Sequence, residues 1–214
     1  MQKIFAVGDI HGCLEKLQDL MEKIRANWQR DRLVFIGDYI DRGDCSREVV
    51  EFLIALKKKI KNIVFLRGNH EQMFLNFLEG VDEDLYLGNG GEKTLNSYGI
   101  LPSDAAGARR DKIPRTHMEF YRSLLPYYET RGYIFVHAGL RPGLPLNKQK
   151  MDDLLWIRYE FLASDSDFGK MVVFGHTPIR NLLIDKNKIG IDTGAVYGGK
   201  LTCVELPAVK IYQV

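Results

Sequence analysis

Five short polar clusters hold most of the chemistry in this chain. Each follows an apolar run. KIFAV leads into Gly8-Asp9-Ile10-His11-Gly12, LVFI into Gly37-Asp38-Tyr39-Ile40-Asp41-Arg42-Gly43, IVFLR into Gly68-Asn69-His70-Glu71, YIFV into His137-Ala138-Gly139, and MVVF into Gly175-His176-Thr177. Asp, Asn and His together suit a divalent transition ion such as Mn, Fe, Zn or Co, whereas all-oxygen sets suit Ca or Mg. Asp9 and His11 are two apart, so in extended chain both side chains point the same way. Asp9, His11, Asp38, Asn69, His137 and His176 are too many ligands for one ion with room for a substrate. They suit two ions that share a carboxylate, and Asp38 is the natural bridge because its cluster lies between the first and third. Two ions ~3.5–4 Å apart can clamp an in-line phosphoryl displacement and lower the pKa of a bound water.

Plainer readings compete at each position. A lone Asp after a strand is commonly a helix cap. His117, outside any cluster, reads as a hydrogen-bonded core residue, and Cys13 as a small residue opening a helix. Glu71 reads as starting its helix, Tyr39 and Tyr197 as packing, and Lys57–Lys59 as a solvated helix end favoured by the dipole. The joint pattern outweighs these readings for the six ligand candidates. The five fixed positions of GDxxDRG arise by chance at about 10⁻⁶ per start, or on the order of 10⁻⁴ to 10⁻³ over a chain this long.

The elements that must position the clusters follow from periodicity. Strands are expected at 3–8, 33–37 and 63–68, alternating with helices at 14–27, 46–61 and 71–79, with Ser46 as a cap. This β-α-β-α-β order argues for parallel pairing. Residues 80–130, with GNGGEKT and ARRDK, read as a helical insertion in a single domain spanning 1–214. Strands resume at 133–137 and 171–175, and three close runs at 188–192, 200–206 and 208–213 suggest an antiparallel meander. The class is α/β with a mixed sheet. Ligands in such folds bind beyond the carboxyl ends of strands, where all five clusters sit.

Composition excludes several classes. Hydrophobic residues make up 45% and charged residues 27%, which is globular usage rather than disorder or coiled coil. A net charge of +2 is too small to argue for nucleic acid or an anionic membrane. Three cysteines without CxxC spacing, no signal-like N-terminus and no apolar run of ~18 residues give a cytoplasmic expectation. A dinucleotide-binding module would need GxGxxG after the first strand, and GDIHG is not that.

The clusters GDIHG, GDYIDRG, GNHE, HAG and GHT, in this order, resemble those of the calcineurin-like metallophosphoesterases. Within that superfamily the chain looks closest to the phosphoprotein phosphatases of the small bacterial and lambda-phage type. Asn89-Gly90-Gly91, LLWIR at 154–158 and IDTGAVYGG at 191–199 support that subtype. The resemblance implies a central β-sandwich of two mixed sheets flanked by helices. It implies two divalent ions, manganese foremost, with Asp9, His11 and Asp38 on one and Asp38, Asn69, His137 and His176 on the other. Arg42 and Arg158 would bind phosphate oxygens, and His70, oriented by Asp41, would be the general acid as a metal-bridging hydroxide attacks phosphorus. The implied activity is removal of phosphate from phosphoserine and phosphothreonine in proteins. The alternative is symmetric hydrolysis of diadenosine tetraphosphate, since dinucleoside polyphosphate hydrolases share these motifs.

Overall fold

In the computed structural model, which describes residues 2–214, the apolar runs become strands buried on both faces. The elements β1 (Ile4–Val7), α1 (Leu14–Lys23), β2 (Arg32–Phe35), α2 (Ser46–Lys59), β3 (Ile63–Phe65) and α3 (Asn69–Leu78) follow in the expected order. Parallel pairing joins β1 to β2 and β2 to β3. Four short helices come next: α4 (Glu83–Gly88), α5 (Glu92–Tyr98), α6 (Ala106–Asp111) and α7 (Arg115–Arg122). The remainder comprises β4 (Tyr127–Glu129), β5 (Tyr133–Val136), α8 (Met151–Trp156), α9 (Tyr159–Leu162), β6 (Met171–Phe174), β7 (Leu183–Ile184), β8 (Lys188–Gly190), β9 (Thr202–Leu206) and β10 (Lys210–Gln213).

The strands form two mixed five-stranded sheets, ordered β10-β9-β1-β2-β3 and β4-β5-β6-β8-β7. Strand alternation sorts the core into layers. Ala6, Val34 and Val204 of the first sheet meet Phe135, Val173 and Ile189 of the second in the sandwich interior. Phe5, Val7, Leu33 and Phe35 face the other way, onto Leu17 of α1, Leu53 of α2 and the insertion helices. On the far side Val136, Val172 and Phe174 pack against Leu154 of α8 and Phe161 of α9. Burial on both faces explains why the strands read as unbroken apolar runs rather than alternating ones. Each fully buried side chain of this size contributes roughly 1.5–3 kcal/mol.

Several expectations change. The first helix stops at Lys23, because Ile24 is extended and Asn27 turns the chain, its side chain accepting the Gln29 N–H at 3.1 Å. Ser46 does not cap α2; its Oγ instead accepts the Asp41 N–H at 3.0 Å. The three C-terminal strands are not one meander. Only β9 and β10 form a hairpin, while β8 pairs in parallel with β6 in the other sheet. Close spacing did not decide this: Ile189 and Val204 both belong to the sandwich interior, so the chain crosses from one sheet to the other between them. The segment 80–130 is helical through Arg122, but its end supplies the edge strand β4.

One buried cation organises the second sheet. Lys188, fully buried on β8, donates to the carbonyls of Phe161, Leu162 and Ser164 at 2.9, 3.0 and 2.6 Å, holding the end of α9. We expect Lys188→Met to lower stability by about 2–3 kcal/mol, because three carbonyls lose a charged donor. A urea unfolding midpoint equal to wild type would show that α9 holds without it.

Candidate metal centre

Each sheet contributes three parallel strands, and each of the six delivers a site residue at its carboxyl end. Asp9 follows β1, Asp38 follows β2 and Asn69 opens α3 after β3. On the other sheet His137 follows β5, His176 follows β6 and Asp192 follows β8. Stacking the two sheets brings the six ends together.

The turns that carry them are unusual. Seven non-glycine residues among those described have positive φ, and five are site candidates: His11 (45°), Asp38 (52°), Asp41 (70°), Arg42 (67°) and His176 (63°). Such backbone costs on the order of 1–3 kcal/mol per residue and persists only where surrounding contacts enforce it. Those contacts are visible. Glu71 Oε2 accepts the N–H groups of Asp38 and Gly68 at 3.0 and 2.9 Å, and its Oε1 that of Tyr39 at 2.8 Å. Asp38 Oδ1 accepts the His70 N–H at 3.1 Å. Asp9 Oδ2 accepts the His176 N–H at 3.0 Å, joining one sheet to the other. Two glycines let backbone lie against these carboxylates: a Cβ on Gly68 or on Gly175 would come within 2.1 Å of Asp38 Oδ1 or Asp9 Oδ1.

The donors form two groups, His11-Asp38-His70 and Asp38-His137-His176, each with donor atoms within 4.8 Å of one another. Asp38 belongs to both. Its Oδ2 lies 3.4 Å from His11 Nε2, and its Oδ1 lies 3.4 Å from His137 Nε2. Asn69 Oδ1 sits 2.9 Å from His137 Nε2 and 3.0 Å from His176 Nδ1. His11 Nδ1 and His137 Nδ1 donate to the carbonyls of Ile40 and Ile36 at 2.8 and 3.0 Å. That fixes the tautomer and leaves each Nε2 as a lone-pair donor facing the cluster. His137 Nε2 and Asn69 Oδ1 then present lone pairs to each other, an arrangement that a cation between them would relieve.

The electrostatics fit the same reading. Burial pushes His11 down to about 3 and His176 down to about 2, and it also lowers His137, which favours the neutral rings that a metal ion would need. Burial raises Asp9 well above the carboxylate range, with Asp192 and Asp38 adding to the rise. Asp192 is pushed by burial to about 6. Burial also acts on Asp38, but the surrounding histidines outweigh it and hold its carboxyl below the ordinary range. Asp9 Oδ1 is buried with no hydrogen-bond partner. An orphaned oxygen beside neutral histidines and crowded carboxylates fits divalent transition ions.

Around the donors sit the remaining candidates. Arg42 Nη1 donates to His11 Nε2 at 2.7 Å, and Arg158 Nε donates to His176 Nε2 at 3.1 Å, so one guanidinium flanks each group. His70 Nδ1 lies 2.7 Å from Asp41 Oδ2, and its buried Nε2 has no partner. Burial presses His70 down, but the charge of Asp38 and the hydrogen bond to Asp41 outweigh it and hold the ring above its ordinary value. All ten candidates thus converge on one site.

The family pattern of the calcineurin-like phosphoesterases matches residues 2–206. This chain is a calcineurin-like metallophosphoesterase. The bis(5'-nucleosyl)-tetraphosphatase PrpE [asymmetrical] of Bacillus cereus (strain Q1) is 29% identical over 97% of this chain and 92% of its own length. A crystal structure provisionally described as a diadenosine tetraphosphatase is 26% identical, with a TM-score of 0.77 over 100% of this chain and 93% of that one. A Saccharomyces cerevisiae protein serine/threonine phosphatase shares the fold at 16% identity and a TM-score of 0.65, and 79% of its length is covered.

Sequence reasoning missed the supports of the metallophosphoesterase site. Tyr86 and Thr94 donate to Asp41 Oδ1 at 2.7 and 2.6 Å, and the Gly90 carbonyl accepts the Arg42 N–H at 3.1 Å. The helical insertion therefore braces Asp41 and Arg42. Nothing local marks Tyr86 or Thr94, which lie 45 and 53 residues beyond Asp41. Glu71 did carry a signal, since its spacing from Gly68 is that of a capping box. His117 takes the structural role read for it, buried with Nδ1 2.8 Å from the Tyr98 hydroxyl.

Asp38→Asn is expected to reduce divalent metal retained after desalting at both positions, because one oxygen faces each donor group. Metal analysis that finds wild-type content would refute the shared role. His70→Asn should leave that content intact and cut turnover of an alkyl phosphate by roughly 10² or more. Turnover within a few-fold of wild type would remove His70 from proton transfer.

Proposed function

We propose that this chain hydrolyses dinucleoside tetraphosphates asymmetrically, releasing a nucleoside monophosphate and a nucleoside triphosphate. The observation that carries this reading is the near end-to-end match to asymmetrical tetraphosphatases, over 97% of this chain and 92% of theirs. The protein phosphatase expected from the motifs is supported by fold alone, at 16% identity. The symmetric cut is replaced by the asymmetrical one for the same reason.

In this reading Asp9, His11 and Asp38 would hold one ion, and Asp38, Asn69, His137 and His176 the other. Ions bound there supply Lewis acidity and a water of lowered pKa. The chain's own groups do the rest. Arg42 and Arg158, one at each end, hold oxygens of the reacting phosphate through their planar forks. Water adds to that phosphorus, and the anhydride bond to the triphosphate breaks. His70 Nε2 gives its proton to the departing oxygen, while Asp41, on Nδ1, fixes the ring's orientation and supports its positive charge. Tyr86 and Thr94 hold Asp41 in turn.

The test is a side-by-side assay on Mn²⁺-loaded enzyme with diadenosine tetraphosphate and a phosphoserine/phosphothreonine peptide. We expect the dinucleotide to have the higher kcat/KM and to yield AMP and ATP in equal amounts. Two molecules of ADP would overturn the asymmetrical cut, and faster phosphate release from the peptide would overturn the nucleotide reading.

A further inference from the structure

An exposed aromatic patch lies beside the donor cluster on the α8–α9 side. Tyr159 is 83% exposed, the highest value among the large hydrophobic side chains described. It opens α9 immediately after Arg158. Trp156, 37% exposed, lies edge-on to His176 with ring centroids 6.0 Å apart at 85°. Together with Arg141, Arg158 and Glu160 these two rings line a cavity of about 340 Å³. The Arg141 guanidinium is fastened there by Asp153 Oδ1, at 2.8 Å from Nε and 2.5 Å from Nη2.

We propose that this cavity seats the adenine base of the nucleoside nearest the cleaved anhydride. The inference rests on the dinucleotide reading and assigns one of its two bases a place. In an asymmetrical cut the phosphorus that water attacks becomes the monophosphate and carries one nucleoside directly, so that base must lie beside the metal centre. The cavity meets this requirement, because Arg158 belongs both to its wall and to the donor cluster through His176. Its volume is at the small end of ligand pockets, which suits one base rather than a dinucleotide. Its chemistry suits a nucleotide: aromatic faces for stacking, two guanidinium groups for phosphate and for π contact, and the Glu160 carboxylate to accept from an exocyclic amino group. A water-exposed tyrosine contributes little to packing, so its position beside a phosphate-binding arginine is best explained by a ligand that covers it.

The experiment measures inhibition of p-nitrophenyl phosphate hydrolysis by AMP and by ribose 5-phosphate, which differ only in the base. In wild type we expect AMP to inhibit about ten-fold more tightly, the order that one stacked base provides. In Tyr159→Ala the advantage should fall to about two-fold or less, and Tyr159→Phe should restore it. Tyr159 is exposed, so truncation does not threaten the fold. An undiminished advantage in both Tyr159→Ala and Trp156→Ala would overturn the cavity assignment and leave the dinucleotide reading standing. No AMP advantage in wild type would also overturn it. Diadenosine tetraphosphate cleavage by the same preparation then shows whether the broader reading falls as well.

Discussion

Asp38 must offer one oxygen to each of two donor groups, and the architecture around the site serves that requirement. Its backbone is left-handed, which an aspartate adopts only under constraint. The constraint comes from Glu71, whose carboxylate gathers N–H groups from the Asp38 turn and from the start of α3. Burial pushes Glu71 up to about 8, with Asp38 adding to the rise, while its three N–H partners favour the charged form. A residue two positions after Asn69, with no ligand role of its own, thus keeps the shared carboxylate in place.

The site stores both charge and strain. Asp9, Asp38 and Asp192 are buried together at one edge of the sandwich, and five candidate residues hold positive φ. Neither feature helps the protein fold. Both are tolerated because two sheets with dense interior packing fix the loop ends, and cations held there would offset the like-charge repulsion. Cross-sheet hydrogen bonds, from His176 N–H to Asp9 and from His137 Nδ1 to the Ile36 carbonyl, set the relative position of the two halves. The two donor groups are therefore only as well placed as the sheets are registered.

Proteins that share this fold are named for different substrates, which is the general relation between a fold and its sites. Substrate choice then lies in what surrounds the centre. The insertion helices brace Asp41 and Arg42 from one side, and α8 and α9 present Trp156, Arg158 and Tyr159 from another. Lys188 anchors the end of α9 from the second sheet, so the surface beside Arg158 is tied to the core.

By itself the sequence determined the ligand types, their order and their strand ends. Motifs such as GDIHG and GDYIDRG are local, and buried parallel strands leave unmistakable apolar runs. It also marked His70, Asp41, Arg42 and Arg158, because each lies inside or beside such a motif. Tertiary structure alone decided which sheet β8 joins, that Ser46 turns to Asp41 rather than capping α2, and that Tyr86 and Thr94 support Asp41. It also revealed the cavity between Arg141 and Tyr159. These features depend on contacts between residues far apart in the chain, formed only when two sheets stack and helices dock. A one-dimensional pattern records periodicity and spacing, and neither carries that information.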